Sequence, residues 1–205
     1  MTPKDVARLW EELRHRDPEE KIDWIRQLAK DPTPESVEVL LDVLTQESWF
    51  LRDQAARALA TLGEEVFESL VEYLGSGLWY TRAAAASSLG RMGLPIAAEP
   101  LTRLLRDPNR TVRDAGWDAL VKLAQNDVAA HAVADSFACL PERAQRFALE
   151  GLFVRDADVA DRIGRIMSDP ALRAAAERTG LKRAAGDADG FTWDDVVGDG
   201  AESVG

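Results

Sequence analysis

The sequence predicts an all-α protein, built as an α-solenoid of about five helix pairs. Three segments align without gaps, RDQAARALATLG (52–63), RAAAASSLGRMG (82–93) and RDAGWDALVKLA (113–124). Segments between them carry apolar residues three and four positions apart, which is the spacing of one helical face. No segment alternates apolar and polar residues over a useful length, so we expect no strands. A helical unit that recurs at a fixed period is typical of a solenoid.

The three aligned segments are predicted to be the second helix of each pair. Their arginines, Arg52, Arg82 and Arg113, are 30 and 31 residues apart. A small residue follows each arginine after six positions and a leucine after seven. Alanine has the highest helix propensity, and small side chains let helix axes approach closely. We therefore expect the pairs Ala55–Ala56 and Ala85–Ala86 to be contact positions between helices.

The first helix of each pair is expected in the segments before these arginines, at 35–46, 64–75 and 96–107. Pro34 suits a helix start, and Gly63 suits the end of the preceding second helix. Weaker helical patterns extend the array as caps at 18–31, 141–153, 156–168 and 170–180.

The order of residues within a unit carries a family resemblance. In DPNRTVRDAGWDAL (107–120), Asp-Pro precedes Val-Arg and then Ala-Leu; in RAAAASSLGRMG (82–93), paired alanines precede Leu-Gly-x-Met-Gly. This pattern resembles HEAT repeats, in particular the short bacterial HEAT-like type also seen in phycobilisome lyase proteins. The resemblance implies armadillo-like helical hairpins stacked as a right-handed superhelix over residues 1–183, with the best repeats at 35–124. A curved array of this kind offers an extended surface for a partner protein, as a scaffold or adaptor does.

Charge and composition exclude several classes of function. The formal net charge is −11, which argues against a nucleic-acid partner because such proteins neutralise phosphates with basic groups. No apolar run is long enough to cross a membrane, and the charged N-terminus lacks the apolar centre of a signal peptide. The single cysteine, Cys139, cannot form an internal disulfide, so we expect a cytoplasmic location.

Catalytic, metal-binding and cofactor-binding residues are not expected. The two histidines, His15 and His131, are far apart and lack metal-ligand spacing, and the paired His-Glu motifs of HEAT-like hydroxylases do not occur. We therefore predict a non-catalytic interaction module. The alternative implied by the resemblance is a bilin lyase, in which a tetrapyrrole would lie against Trp79, Tyr80 and Trp117 with arginines on its propionates.

Aromatic residues precede two of the repeated arginines and are candidates for binding a partner. Trp49 and Trp79 stand three positions before Arg52 and Arg82, and Phe50 and Tyr80 follow them directly. Aromatic residues and arginine are the usual anchors of protein interfaces. The alternative is that these rings staple each turn to the first helix of its pair.

The repeated arginines Arg52, Arg82 and Arg113 are expected to form a ladder with turn aspartates and carbonyls of adjacent units, with direct ligand binding as the alternative. In the third unit Gly116 and Trp117 replace an alanine pair. We expect this glycine to make room for the ring. Either the core is repacked there, or the stack changes angle and a groove opens.

The last segment, 184–205, is an acidic tail rich in Gly and Asp. Its last nineteen residues hold six acids and no Lys or Arg, which is more than half of the net negative charge. Within it, FTWDDVV (191–197) combines aromatic and acidic side chains, namely Phe191, Trp193, Asp194 and Asp195. It is predicted to be a linear motif that orders on a partner, a segment that docks on this protein's own groove, or a solubilising disordered tail.

Overall fold

The computed structural model describes residues 3–46 and 48–168, with side chains from Ala7 onward, and every regular element in these ranges is helical. The described part of the chain therefore has the predicted all-α fold, with helices paired as the hairpins of an α-solenoid. The expected helix at 170–180 and the tail at 184–205 lie outside the described residues.

The chain divides into two compact units, Met1–Met92 and Gly93–Gly205. The helices of the first unit are α1 (Pro3–Arg14), α2 (Pro18–Lys30), α3 (Pro34–Gln46), α4 (Trp49–Ala60), α5 (Phe67–Tyr73) and α6 (Trp79–Met92). Those described in the second unit are α7 (Ala98–Arg103), α8 (Arg110–Leu123), α9 (Asp127–Ala138), α10 (Glu142–Arg155) and α11 (Ala157–Met167).

Short polar side chains define many of the helix starts. Each accepts a hydrogen bond from a backbone N–H in the first turn, where no intrahelical acceptor exists. The capping residues are Asp17 for α2, Ser48 for α4, Asn109 for α8, Asn126 for α9 and Asp156 for α11.

Within each unit the helices pack in two rows. In the first unit α1 packs against α3 in one row, while α2 packs against α4 and α4 against α6 in the other. In the second unit α7 packs against α9 and α9 against α11, while α8 packs against α10. Within each unit, the second helix of a pair thus contacts the second helix of the pair before it.

The alanines of the second row are contact positions, as predicted. Ala55 and Ala56 of α4 and Ala85 and Ala86 of α6 are fully buried, and these two helices pack against each other. Ser88 continues this small surface, and its hydroxyl donates to the Ala84 carbonyl of its own helix at 3.0 Å. We call these five buried residues the small-residue seam.

The predicted helix at 96–107 is broken into three parts. A 3-10 turn at Pro95–Ala97 precedes α7, and another at Leu104–Arg106 follows it. Pro100 has no N–H to donate to the Ile96 carbonyl, so the α-helix does not include Ile96 and begins at Ala98. At the other end Asp107 is extended, at ψ 136°, because it directly precedes a proline.

The core around Trp117 is repacked, and the glycine that makes room for this ring is Gly151 of α10. Trp117 is 5% exposed and packs edge-on against Phe137 and Phe147. A Cβ on Gly151 would lie 2.5 Å from the Trp117 ring, whereas one on Gly116 would face Leu104 at 3.2 Å. The expectation that Gly116 accommodates the ring was therefore wrong.

Gly151→Ala is expected to destabilise the protein by about 1–3 kcal/mol, because the new methyl group would clash with a buried ring that is packed against Phe137 and Phe147. The measurement is urea-induced unfolding monitored by circular dichroism. Gly116→Ala is the matched control, since it also adds a methyl group inside a helix of this unit but displaces Leu104 by only a few tenths of an ångström. Equal stabilities of the two variants would contradict this assignment.

Asp135 lies in the last turn of α9 and is unfavourably placed there. Burial raises the pKa of its carboxyl group, and nearby His131 opposes the shift. An acid near a helix C-terminus is also repelled by the helix dipole. Because the folded protein holds this proton more tightly than the unfolded chain, stability is lost as pH rises through the folded pKa.

Asp135→Asn is therefore expected to raise the free energy of unfolding at pH 7 by about 0.3–1 kcal/mol. At pH 3, below the ordinary pKa of an aspartate, the Asp135 carboxyl group of the wild-type protein is mostly neutral, so the two stabilities should agree. Thermal unfolding at the two pH values measures this. A variant that gains as much stability at pH 3 as at pH 7 would refute the electrostatic explanation.

Candidate protein-binding surface

Two aromatic pairs lie at the start of adjacent second-row helices in the first unit. Trp49 and Phe50 open α4, and Trp79 and Tyr80 open α6. Side chains at the start of a helix point back over the preceding turn and away from the helix body. This places both pairs beside the turns, as the sequence predicts.

The two pairs have the same internal geometry. Trp49 and Phe50 meet edge-to-face with ring centroids 5.8 Å apart, and Trp79 and Tyr80 do so at 5.7 Å. Edge-to-face contacts of this kind stabilise a pair of rings beyond the area that they bury. Each ring therefore holds its neighbour in place.

Much of this aromatic area faces solvent. Trp49 is 73% exposed, Trp79 and Leu78 are each 44% exposed, and Phe50 is also exposed. A ring that is mostly in water contributes little packing to its turn, so the exposure favours a binding role over a stapling role, above all for Trp49. We call Trp49, Phe50, Leu78, Trp79 and Tyr80 the aromatic surface.

Arg52 joins the two halves of the aromatic surface. Its guanidinium carbon lies 4.6 Å from the centroid of the Tyr80 ring, which belongs to the next second-row helix. A cation over an aromatic face is attracted by the ring's negative face. Arg52 thus connects the start of α4 to the start of α6.

Arg82 and Arg113 bind turn carbonyls, as the sequence predicts. Arg82 Nη1 donates to the Ser76 carbonyl at 2.7 Å, and Arg113 Nη1 donates to the Asp107 carbonyl at 2.7 Å. Both acceptors lie six residues before the arginine, in the turn of the same helix pair. These described contacts tie a helix to its own preceding turn, whereas the prediction placed the acceptors in adjacent units.

In the following pair a glutamine also binds carbonyls of the preceding turn. Gln145 of α10 donates to the carbonyls of Ala138 and Leu140 at 3.2 and 2.8 Å. Its position is two residues beyond Arg143, which occupies the aligned arginine place. A side chain near the aligned arginine position thus ties α10 to its preceding turn as well.

Sequence reasoning missed the ion pairs that link neighbouring second-row helices. Asp53 of α4 accepts from Arg91 of α6 at 3.1 Å and from Arg57 at 2.8 Å. In the second unit Asp114 of α8 accepts from Arg155 of α10 at 2.6 Å. The available signal was the Arg-Asp doublet at 52–53, which recurs at 113–114.

The remaining candidate residues are placed differently. Trp117 is buried, with the Arg155 guanidinium 5.7 Å from its ring centroid, so it offers no surface to a protein or to a tetrapyrrole. The tail candidates Phe191, Trp193, Asp194 and Asp195 lie outside the described residues, and their three interpretations stay predictions.

The described residues include neither a grouping of metal ligands nor a membrane-spanning helix. Within residues 3–46 and 48–168, no three His, Cys, Asp or Glu side chains are grouped so that they could hold a metal ion. The helices of the same ranges include none that is both long enough and apolar enough to span a membrane.

Comparison with known proteins identifies the repeats. The sequence matches the family model for HEAT repeats over residues 6–77 and again over 67–138, together more than half of the chain. Two crystal structures of engineered proteins from the Northeast Structural Genomics Consortium are similar to it, at 21% and 19% identity and TM-scores of 0.38 and 0.37. Each similarity covers 89% of this chain and 98% of the solved chain. No curated protein matches.

Arg91→Met is expected to destabilise the protein by about 1 kcal/mol, because it removes a half-buried charged hydrogen bond between α4 and α6. Arg103→Met is the matched control, since Arg103 pairs with Glu99 on an exposed helix face, where such pairs contribute about 0.5 kcal/mol or less. Chemical denaturation of Arg91→Met, of Asp53→Asn and of the variant that carries both substitutions gives the coupling energy between Arg91 and Asp53. Additive effects in the double variant would rule out a direct stabilising pair.

Proposed function

The chain belongs to the HEAT repeat family, and from this premise we propose that it is a non-catalytic scaffold or adaptor that binds a partner protein through the aromatic surface. HEAT repeats generally mediate interactions between proteins. The observation that carries the proposal is the exposure of two aromatic pairs side by side on adjacent helices.

The aromatic surface has the composition of an interface core. Tryptophan, tyrosine and arginine are the residues that dominate measured binding energies, and all three occur together here as Trp49, Trp79, Tyr80 and Arg52. Each large ring buries about 150–250 Å² when it is covered. A partner that covers both pairs therefore removes a substantial apolar area from water.

The rings are also arranged before a partner arrives. Each tryptophan contacts its neighbouring ring, and each pair stands on the first turn of a helix whose later residues are buried. Rings that are already held in place lose little side-chain entropy on binding. This supports binding through a preformed surface.

Arg52 supports the same proposal from its position between the pairs. Because it lies over Tyr80, it presents a cation within an apolar patch. The patch is suited to a partner segment that has large apolar anchors and no positive charge close to Arg52.

Replacement of either Trp49 or Trp79 by alanine is expected to weaken partner binding at least about 30-fold, since central aromatic anchors contribute about 2 kcal/mol or more each. Partners captured by the wild-type protein are identified first, and their dissociation constants are then measured by calorimetry. Val128→Ala is the matched control, because Val128 is an exposed apolar residue of the second unit.

The stability of the tryptophan variants distinguishes a partner-binding role of the rings from a role in stapling each turn to its helix pair. Trp49→Ala is expected to change the free energy of unfolding by no more than about 0.5 kcal/mol, as exposed substitutions do. If the tryptophan variants lost several degrees of Tm while the same partners bound with unchanged affinity, the rings would be structural and the proposed function would be wrong.

A further inference from the structure

Two arginines of the first unit share one carboxylate. Arg57 Nε donates to Asp53 Oδ2 at 2.8 Å within α4, and Arg91 Nη2 of α6 donates to Asp53 Oδ1 at 3.1 Å. One negative charge thus lies between two positive charges, and one positive charge is left over. We call Arg57, Asp53 and Arg91 the arginine cluster.

The arginine cluster keeps hydrogen-bond donors for a further acceptor. The Arg57 side chain is 56% exposed and contacts Asp53 through Nε, so both of its terminal nitrogen atoms face solvent in the described part of the chain. Arg91 uses Nε for Ser87 and Nη2 for Asp53, which leaves Nη1. The planar donors of a guanidinium group match the two oxygen atoms of a carboxylate.

The corresponding contacts of the second unit have no excess of positive charge. Asp118 of α8 stands at the repeat position of Arg57. Arg155 donates to Asp118 at 3.2 Å and to Asp114 at 2.6 Å, and Arg110 lies 3.7 Å from Asp114. Two arginines there face two carboxylates. The excess therefore belongs to the unit that carries the aromatic surface.

The arginine cluster also lies on the same side of α4 and α6 as the aromatic surface. Arg57 comes seven residues after Phe50, and Arg91 comes eleven residues after Tyr80, which is close to two and three whole helical turns. Both guanidinium groups reach back toward the rings, because each bonds to a side chain four residues earlier on its own helix. The charges are therefore about 5–10 Å along the helices from the rings.

We propose that the arginine cluster is the acid-binding end of the partner interface, so that the partner segment is acidic. Its apolar side chains cover the aromatic surface, and one of its Asp or Glu side chains binds Arg57 and Arg91. This inference rests on the proposed function, to which it adds the chemistry of the partner.

The charge of the two helices supports an acidic partner. Together α4 and α6 contain four arginines and one acid, although the whole chain has a net charge of −11. A basic segment is repelled by these helices, whereas an acidic one is attracted. Because an extended chain advances about 3.3 Å per residue, the carboxylate belongs about two to four residues from the apolar anchor.

Selection from a phage-displayed library of random dodecapeptides tests the chemistry of the partner. The full-length protein is the bait, and peptides are kept if they bind it but do not bind the Trp49→Ala variant. We expect these peptides to be enriched at least about threefold in Asp and Glu near an aromatic residue or leucine, and to be depleted in Lys and Arg.

Affinities of one selected peptide then locate its acid on the protein. Arg57→Gln is expected to weaken binding at least about fivefold, because it removes a charged hydrogen bond. Replacement of the peptide's acid by its amide should weaken binding to the wild-type protein by a similar factor. The two changes together should weaken binding no more than either one alone.

Arg103→Gln is the matched control for these affinities. Arg103 and Arg57 are both exposed arginines that pair at 2.8 Å with an acid four residues earlier, but Arg103 belongs to the second unit. Such pairs contribute little to stability, so both variants should fold normally. Arg103→Gln should leave the affinity of the peptide unchanged.

Two results would overturn the proposal and leave the proposed function standing. In the first, peptides that require Trp49 show no enrichment in acids. In the second, Arg57→Gln changes their affinity no more than Arg103→Gln does. If no selected peptide requires Trp49, the proposed function fails together with this inference.

Discussion

Close packing between second-row helices is the constraint on which the rest of the first unit depends. Buried alanines lie on both α4 and α6, which pack against each other, and a larger side chain at Ala56 or Ala86 would overpack the core around these helices. The spacing brings Asp53 within reach of Arg91 and the Arg52 guanidinium over the Tyr80 ring. The arrangement of the aromatic surface is therefore a consequence of packing in the seam.

Polar contacts then determine how each second-row helix begins. A helix packed along a seam of alanines has few side chains that define its rotation and its starting residue. Arg82 and Arg113 define the rotation of their helices by binding carbonyls of the preceding turn. Ser48 and Asn109 define the starting residue by capping the helix. The first residues of α4 and α6 are held in one orientation as a result, and these are the residues that carry the exposed rings.

Much of the fold could be predicted from the sequence because the packing residues recur at a fixed period. The seam alanines, the turn-binding arginines and the starts of α4 and α6 all follow from that period. The misassigned details depend on contacts between residues far apart in the chain. Gly151, for example, lies 34 positions after Trp117. The identities of these two residues do not indicate that they are in contact in the folded protein.

The positions of the residues in the aromatic surface could be predicted from the sequence, but the contacts between these residues could not. The aromatic residues were found because they occupy equivalent places before Arg52 and Arg82. Their edge-to-face contacts and the link from Arg52 to Tyr80 depend on side-chain orientation, which periodicity does not specify. The ion pair between Asp53 and Arg91 was missed for a similar reason, because the two residues lie on different helices and at different places in the repeat.

The most direct test of binding through the aromatic surface is an indole N–H spectrum of the full-length protein, recorded during titration with an isolated partner. We expect the signals of Trp49 and Trp79 to shift together at the same partner concentration, while those of the buried Trp24 and Trp117 stay in place. Saturable binding that leaves the signals of both Trp49 and Trp79 unchanged would contradict binding through the aromatic surface.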